Sequence, residues 1–181
     1  MHNIFVLFGS PKKDGNTAKL VECFLEGILS KNVDIFYCYD SINIRPCTGC
    51  GECGNTGKCT ANDEMFAVIQ NIQKCDTIIF AAPVYFLSFP APMKTVIDRL
   101  QPLWHIFGSK DNPKKQGILI ATCGGRIKED IIKRQASAIF ASIGASLAYS
   151  FIADNTDKYP VDNRYEMKRN LLLTAQHMQC E

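Results

Sequence analysis

Residues 4–11 read Ile4-Phe5-Val6-Leu7-Phe8-Gly9-Ser10-Pro11, and this stretch decides the fold. Five apolar residues without polar alternation describe a strand buried on both faces, and the Gly-Ser-Pro that follows ends it. Lys12-Lys13-Asp14-Gly15-Asn16-Thr17 then leads into residues 17–30, where Leu20, Val21, Phe24, Leu25, Ile28 and Leu29 recur at helical spacing. The same alternation continues outward. Apolar runs predict strands at 33–39, 76–82, 116–122 and 146–153. Helices are predicted at 63–74, with Met65, Ile69 and Ile72 on one face, and from Pro90 and Pro92 through Leu100. Pro102 ends or kinks that helix. Ile127, Ile131, Ile132, Ala136, Ile139 and Phe140 trace another, and residues 161–178 a last one.

Buried strands alternating with amphipathic helices imply an α/β fold, a parallel sheet with helices on both faces. Five strands in 181 residues suit the flavodoxin-like doubly wound order 2-1-3-4-5. No repeat or linker divides the chain, so residues 1–181 read as one domain with a cysteine-rich insertion at 41–61. The 46% hydrophobic content excludes a disordered chain. Twenty basic against eighteen acidic side chains leave a net charge of +2, without the basic stripe of a nucleic-acid binder. The apolar run 77–84 is far shorter than the ~18–20 residues a membrane span requires. The N-terminus enters the first strand with no secretory pattern, so the expected location is cytoplasmic. Nine cysteines, an odd number, argue against a disulfide framework. Four crowd together as Cys47, Cys50, Cys53 and Cys59, while Cys23, Cys38, Cys75, Cys123 and Cys180 are scattered.

In such a sheet ligands bind beyond the carboxyl ends of the strands. Three loops there carry chemistry. Between the first strand and helix, Ser10, Asn16 and Thr17 offer side-chain donors, Lys12 a charge and Gly15 close backbone approach, all beside a helix N-terminus that favours phosphate. Five residues separate Gly9 from Gly15, and Asn16 stands where a Walker loop has lysine. The bland alternative is an ordinary turn with an Asn or Thr cap. After the third strand, Pro83, Val84, Tyr85 and Phe86 open an aromatic loop suited to covering a flat heteroaromatic ring, or to packing on the core. After the fourth, Thr122, Gly124 and Gly125 flank Cys123 and allow a ligand near the backbone.

Together these loops resemble the NADPH-dependent FMN reductase family of flavodoxin-like proteins. The resemblance spans nearly the whole chain and is most specific at Gly9-Ser10-Pro11, Gly15-Asn16-Thr17-Ala18 and Ala82-Pro83-Val84-Tyr85-Phe86, with Lys94 and Asp98-Arg99 following. It implies an FMN phosphate at Ser10, Lys12, Gly15, Asn16 and Thr17. The isoalloxazine ring would lie against Pro83, Val84, Tyr85 and Phe86, with Thr122, Gly124 and Gly125 at its other edge. Lys12 stands where that family often has arginine, keeping the charge without the fork. The implied activity is hydride transfer from NAD(P)H to FMN and on to free flavin, a quinone or a nitro compound. No side chain is nominated as general acid or base.

The cysteines Cys47-x2-Cys50-x2-Cys53-x5-Cys59 pack as in ferredoxin-type loops. Their spacing and place after the second strand resemble the iron–sulfur flavoproteins, which implies a 4Fe–4S cluster on these four thiolates and electrons exchanged with ferredoxin. Two readings stay open beside it: a cluster-free reductase whose reduced thiols pack near the flavin or a neighbouring subunit, and a flavin/thiol redox sensor. Gly49-Cys50-Gly51-Glu52-Cys53-Gly54 matches G-x-G-x-x-G but does not open a helix after a strand, so it is no dinucleotide fingerprint. His2, His105 and His177 form no sequence group. Trp104, His105, Ile106 and Phe107, followed by a polar loop at 108–115, read as core, lid or subunit contact. The expected partners are a small-molecule or redox-protein electron donor and acceptor, without nucleic acid or membrane, in a homodimer or homotetramer.

Overall fold

The structure, a computed structural model, describes residues 2–28, 32–41, 43–108 and 115–178. Five parallel strands form one sheet in the order β2-β1-β3-β4-β5: β1 (Asn3–Phe8), β2 (Asn32–Tyr37), β3 (Thr77–Pro83), β4 (Lys115–Thr122) and β5 (Ala145–Ala153). This is the flavodoxin-like order expected. The central strands β1, β3 and β4 are apolar through their middles because both faces are covered. Ile4, Val6 and Phe8 of β1 point to one core with Ile79, Ala81, Ile118 and Ile120. Phe5 and Leu7 point to the other with Ile78, Phe80, Leu119 and Ala121.

The first core is closed by α1 (Asn16–Glu26) through Leu20 and Phe24 and by α7 (Tyr165–His177) through Leu171 and Ala175. The second lies under α3 (Met65–Lys74), α4 (Ala91–Asp98), α5 (Gln101–Phe107) and α6 (Glu129–Ser142), which contribute Val68, Ile72, Met93, Val96, Leu103, Ala136 and Phe140. Phe80 and Phe140 stack at 4.4 Å between ring centroids, joining α6 to the middle of the sheet. The chain leaves β1 towards one edge and returns to β3 on its other side. The ends of β1 and β3 therefore flank the switch point, with the end of β4 beside them.

One predicted element is divided, and one helix is added after the predicted one at 90–100. Residues 161–178 form a 3-10 turn, Val161–Asn163, and then α7. Arg164 breaks the run with a non-helical backbone, its guanidinium donating to the carbonyls of Tyr159 and Asp154. The added helix is α5, which follows α4 with Pro102 in its first turn. The cysteine-rich insertion holds one short helix, α2 (Glu52–Thr56). The end of the first predicted helix at Leu29 and Ser30, most of the polar loop after Gly108, and Cys180 lie outside the described residues. No helix among the described residues is long and apolar enough to cross a membrane.

Candidate functional site

The loop after β1 ends in a helix start with no side-chain cap. Gly15 is the N-cap, and neither Asn16 nor Thr17 folds back on the first turn. The ordinary capped turn is therefore not what forms, and the leading N–H groups of α1 keep their donor capacity and partial positive charge. Thr17 is buried and its hydroxyl pairs with that of Thr122 at 2.8 Å, tying the first loop to the third. The Asn16 carboxamide oxygen accepts the Val161 N–H at 3.3 Å, which turns its amino group the other way. Ser10 closes a tight local turn, its hydroxyl donating to the Lys12 carbonyl at 3.1 Å and accepting the Lys12 N–H at 3.2 Å. Lys12 is exposed. Lys13 fastens the loop sideways, with Asp40 at 2.5 Å and the Tyr37 ring centroid at 4.5 Å.

The aromatic loop is a two-residue hairpin. Tyr85 and Ser88 exchange two backbone hydrogen bonds of 3.0 Å. Between them Phe86 and Leu87 have φ of 50° and 62°, the left-handed region that bulky residues avoid. Phe86 is fully exposed, at 104% of its reference area. Gln135 on α6 holds this strained turn: its Nε2 donates to the Leu87 carbonyl at 2.9 Å, and its Oε1 accepts the Ser88 hydroxyl at 3.2 Å. Tyr39, just past β2, is held above its ordinary pKa by partial burial and by Tyr85 and Cys38.

In the third loop Gly124 packs closely against the side chain of Asp157. A Cβ there would lie 2.6 Å from a carboxylate oxygen of Asp157. Asn155, Thr156 and Asp157 donate backbone N–H groups to Gly125, Cys123 and Gly124, so the chain after β5 lines this loop. The structure thus brings Ser10, Lys12, Gly15, Asn16, Thr17, Pro83, Val84, Tyr85, Phe86, Thr122, Gly124 and Gly125 to adjacent strand ends at one edge of the sheet. An anionic group at the uncapped helix and a flat ring against the exposed aromatic turn fit this donor set.

The cysteine loop is a separate site. Cys47, Cys50, Cys53 and Cys59 all line one open cavity of about 810 Å³, floored by Arg99, Pro102 and His105. Gly51 and Gly57 bracket α2 with φ of 79° and 68°, values glycine adopts readily. The Cys50 thiol is held below its ordinary pKa by the Glu52 N–H and the Thr60 hydroxyl. Cys53 is pushed up by burial, and Cys50, Cys59 and Cys47 each add to the rise. Four soft sulfurs lining one cavity are a donor set that an iron–sulfur cluster suits. Among the described residues no three His, Cys, Asp or Glu side chains are drawn together as around one metal ion. Arg99 is 3% exposed and binds Asp63 through two hydrogen bonds, of 2.9 and 3.0 Å. The other cysteines behave differently: burial pushes the Cys38 thiol up to about 12 and that of Cys75 up to about 11.

The family model for NADPH-dependent FMN reductases matches residues 2–156. The chain belongs to that family. Among curated relatives, an iron-sulfur flavoprotein of Archaeoglobus fulgidus is 36% identical over 100 residues, 55% of this chain and 46% of the relative. One of Methanocaldococcus jannaschii is 34% identical over 96 residues, covering 52% and 50%. The chain spans about half the length of these relatives. Among solved structures, an FMN-dependent NADH-azoreductase of Bacillus anthracis in complex with FMN superposes with a TM-score of 0.77 at 15% identity, covering 98% of this chain and 99% of that one. An NAD(P)H:quinone oxidoreductase of Methanothermobacter marburgensis gives 0.70 at 14%, covering 98% and 97%. At such identities these two establish the shared fold alone.

Tyr39, Arg99, Gln135 and Asp157 were not singled out as site residues from sequence. Arg99 was legible only as part of a family motif, and Gln135 carried no signal on a helix whose polar face reads as solvated.

Proposed function

We propose that this FMN reductase family member is an FMN-dependent oxidoreductase carrying a 4Fe–4S cluster on Cys47, Cys50, Cys53 and Cys59. The observation that carries the reading is that all four thiols line one cavity, beside a buried cation and apart from the strand-end loops assigned to the flavin. The FMN phosphate binds Ser10, Lys12, Gly15, Asn16 and Thr17. Pro83, Val84, Tyr85 and Phe86 would hold the ring, with Thr122, Gly124 and Gly125 at its other edge. When bound, FMN exchanges electrons singly or as hydride and the cluster exchanges them singly. The chain's own part is to orient and shield. The Thr17–Thr122 pair fixes the spacing between two cradle loops, and Gln135 holds the aromatic turn in its strained form. Electrons come from NAD(P)H or a small redox protein.

A second reading, an NAD(P)H-dependent FMN reductase with reduced thiols, is supported by a cradle that uses no residue of the cysteine loop. Anaerobic reconstitution with iron, sulfide and FMN separates the two. The cluster reading expects one 4Fe–4S cluster per flavin. FMN bound without iron, together with steady NAD(P)H oxidation on a quinone or nitro acceptor, leaves the plain reductase.

A further inference from the structure

We infer that Arg99 is a positioning residue for the cysteine loop, closing its neck and giving the Cys59 sulfur a fixed N–H donor that sets the cluster's reduction potential. This rests on the cluster reading above. Arg99 sits at the junction of α4 and α5 and is 3% exposed. Its Nη1 donates to the Arg45 carbonyl at 2.8 Å and to Asp63 Oδ2 at 2.9 Å. Its Nη2 donates to Asp63 Oδ1 at 3.0 Å and to Cys59 Sγ at 3.2 Å. Arg45 lies two residues before Cys47 and Asp63 four after Cys59, so one guanidinium holds both ends of the thiol-bearing segment.

The fork matters as much as the charge. A buried cation needs a partner, and Asp63 alone would satisfy that requirement. The bonds to Arg45 and Cys59 go beyond it, and a lysine ammonium cannot reach three directions in that plane. Nε is buried with no hydrogen-bond partner among the described residues, in a side chain that lines the same cavity as the four cysteines. A guanidinium can only donate, which suits a sulfur that must be deprotonated to hold iron. Hydrogen bonds to the sulfurs stabilise the more negative, reduced cluster and raise its potential.

The test compares wild type with Arg99→Lys and with the charge-neutral pair Arg99→Gln/Asp63→Asn, all reconstituted anaerobically with iron, sulfide and FMN. Three quantities are read: iron per FMN, the midpoint potentials of the iron–sulfur and flavin chromophores in one titration, and amide hydrogen exchange in the cluster-free proteins. Both variants are expected to keep FMN and the protection of the sheet. Their cluster midpoints move to more negative values, or the cluster is lost, while the flavin midpoint stays. Exchange quickens at residues 43–63 alone. Unchanged cluster content and midpoint in both variants, or unchanged exchange across the neck, overturns the role of Arg99. A wild type that takes up no cluster overturns the cluster reading and the potential-setting part of this inference, and exchange then decides the neck by itself.

Discussion

Replacing Phe86-Leu87 by Asn-Gly should stabilise the flavin-free protein while weakening FMN binding. Both residues sit in the left-handed region, at φ of 50° and 62°. That conformation costs an L-residue about 1–2 kcal/mol, so the turn stores about 2–4 kcal/mol. Asn-Gly is the pair that two-residue hairpins of this shape prefer. Phe86 is fully exposed and surrenders no burial when removed; Leu87 is 41% exposed, and losing its covered part costs roughly 1 kcal/mol. Glycine's extra backbone entropy costs roughly 0.5–1 kcal/mol more. The balance is a gain of about 0–2.5 kcal/mol with its centre near 1, at roughly 2–4 °C in Tm for each kcal/mol in a chain of this length. Losing the ring against the isoalloxazine should cost binding about 1 kcal/mol or more, about fivefold. Urea unfolding of the apoprotein and quenching of FMN fluorescence read the two effects. An apoprotein no more stable than wild type refutes the strain argument, and unchanged FMN affinity removes Phe86 from the flavin site.

Asn16→Ala/Thr17→Ala should weaken FMN binding by about 1–3 kcal/mol in equilibrium titration, the scale of hydrogen bonds to a charged group; unchanged affinity would move the phosphate elsewhere. Cys50→Ser should lose iron and keep flavin, whereas Cys75→Ser, altering a buried thiol pushed up to about 11, should keep both. Asp63 is buried, which alone would raise its pKa, but the Arg99 hydrogen bonds hold it below the ordinary carboxylate value. Its contribution is therefore present above about pH 4 and lost as pH falls through the depressed folded value. The urea midpoint of wild type should then fall more steeply than that of Asp63→Asn as pH is lowered from 5 to 3, and parallel profiles would refute the pair's role. Phe86 and the half-exposed Trp104 favour a homodimer or homotetramer with flavin sites near the interface, and sedimentation of a monomer with tightly held FMN at micromolar concentration would speak against it.

The strands were legible because a strand covered on both faces writes an uninterrupted apolar run, and the cradle loops because a parallel sheet places them after those runs. What escaped was set by tertiary partners. A polar Gln135 on a helix surface looks solvated until the strained carbonyl of Leu87 is placed beside it. A five-residue helix such as α2 carries too little periodicity to register between cysteines. The break at Arg164 depends on carbonyls contributed by the loop after β5.

The physical separation of the two sites follows from the same economy. The loops proposed to hold the flavin lie at adjacent strand ends, stiffened by the Thr17–Thr122 hydroxyl pair and the Gln135 anchor. The cysteine loop departs from the sheet after β2 and touches the core through its neck, where Ile44 is buried at one end and Arg99 binds Asp63 at the other. Residues 47–60 contribute no buried side chain. Their sequence is therefore free to specialise in ligand chemistry without cost to the fold, and the helix α4, which runs from the aromatic turn to Arg99, is the direct mechanical link between them. Substitutions in the cysteine loop should change metal content without touching flavin affinity. Substitutions on the buried face of α4, at Met93 or Val96, are the ones that should disturb both together.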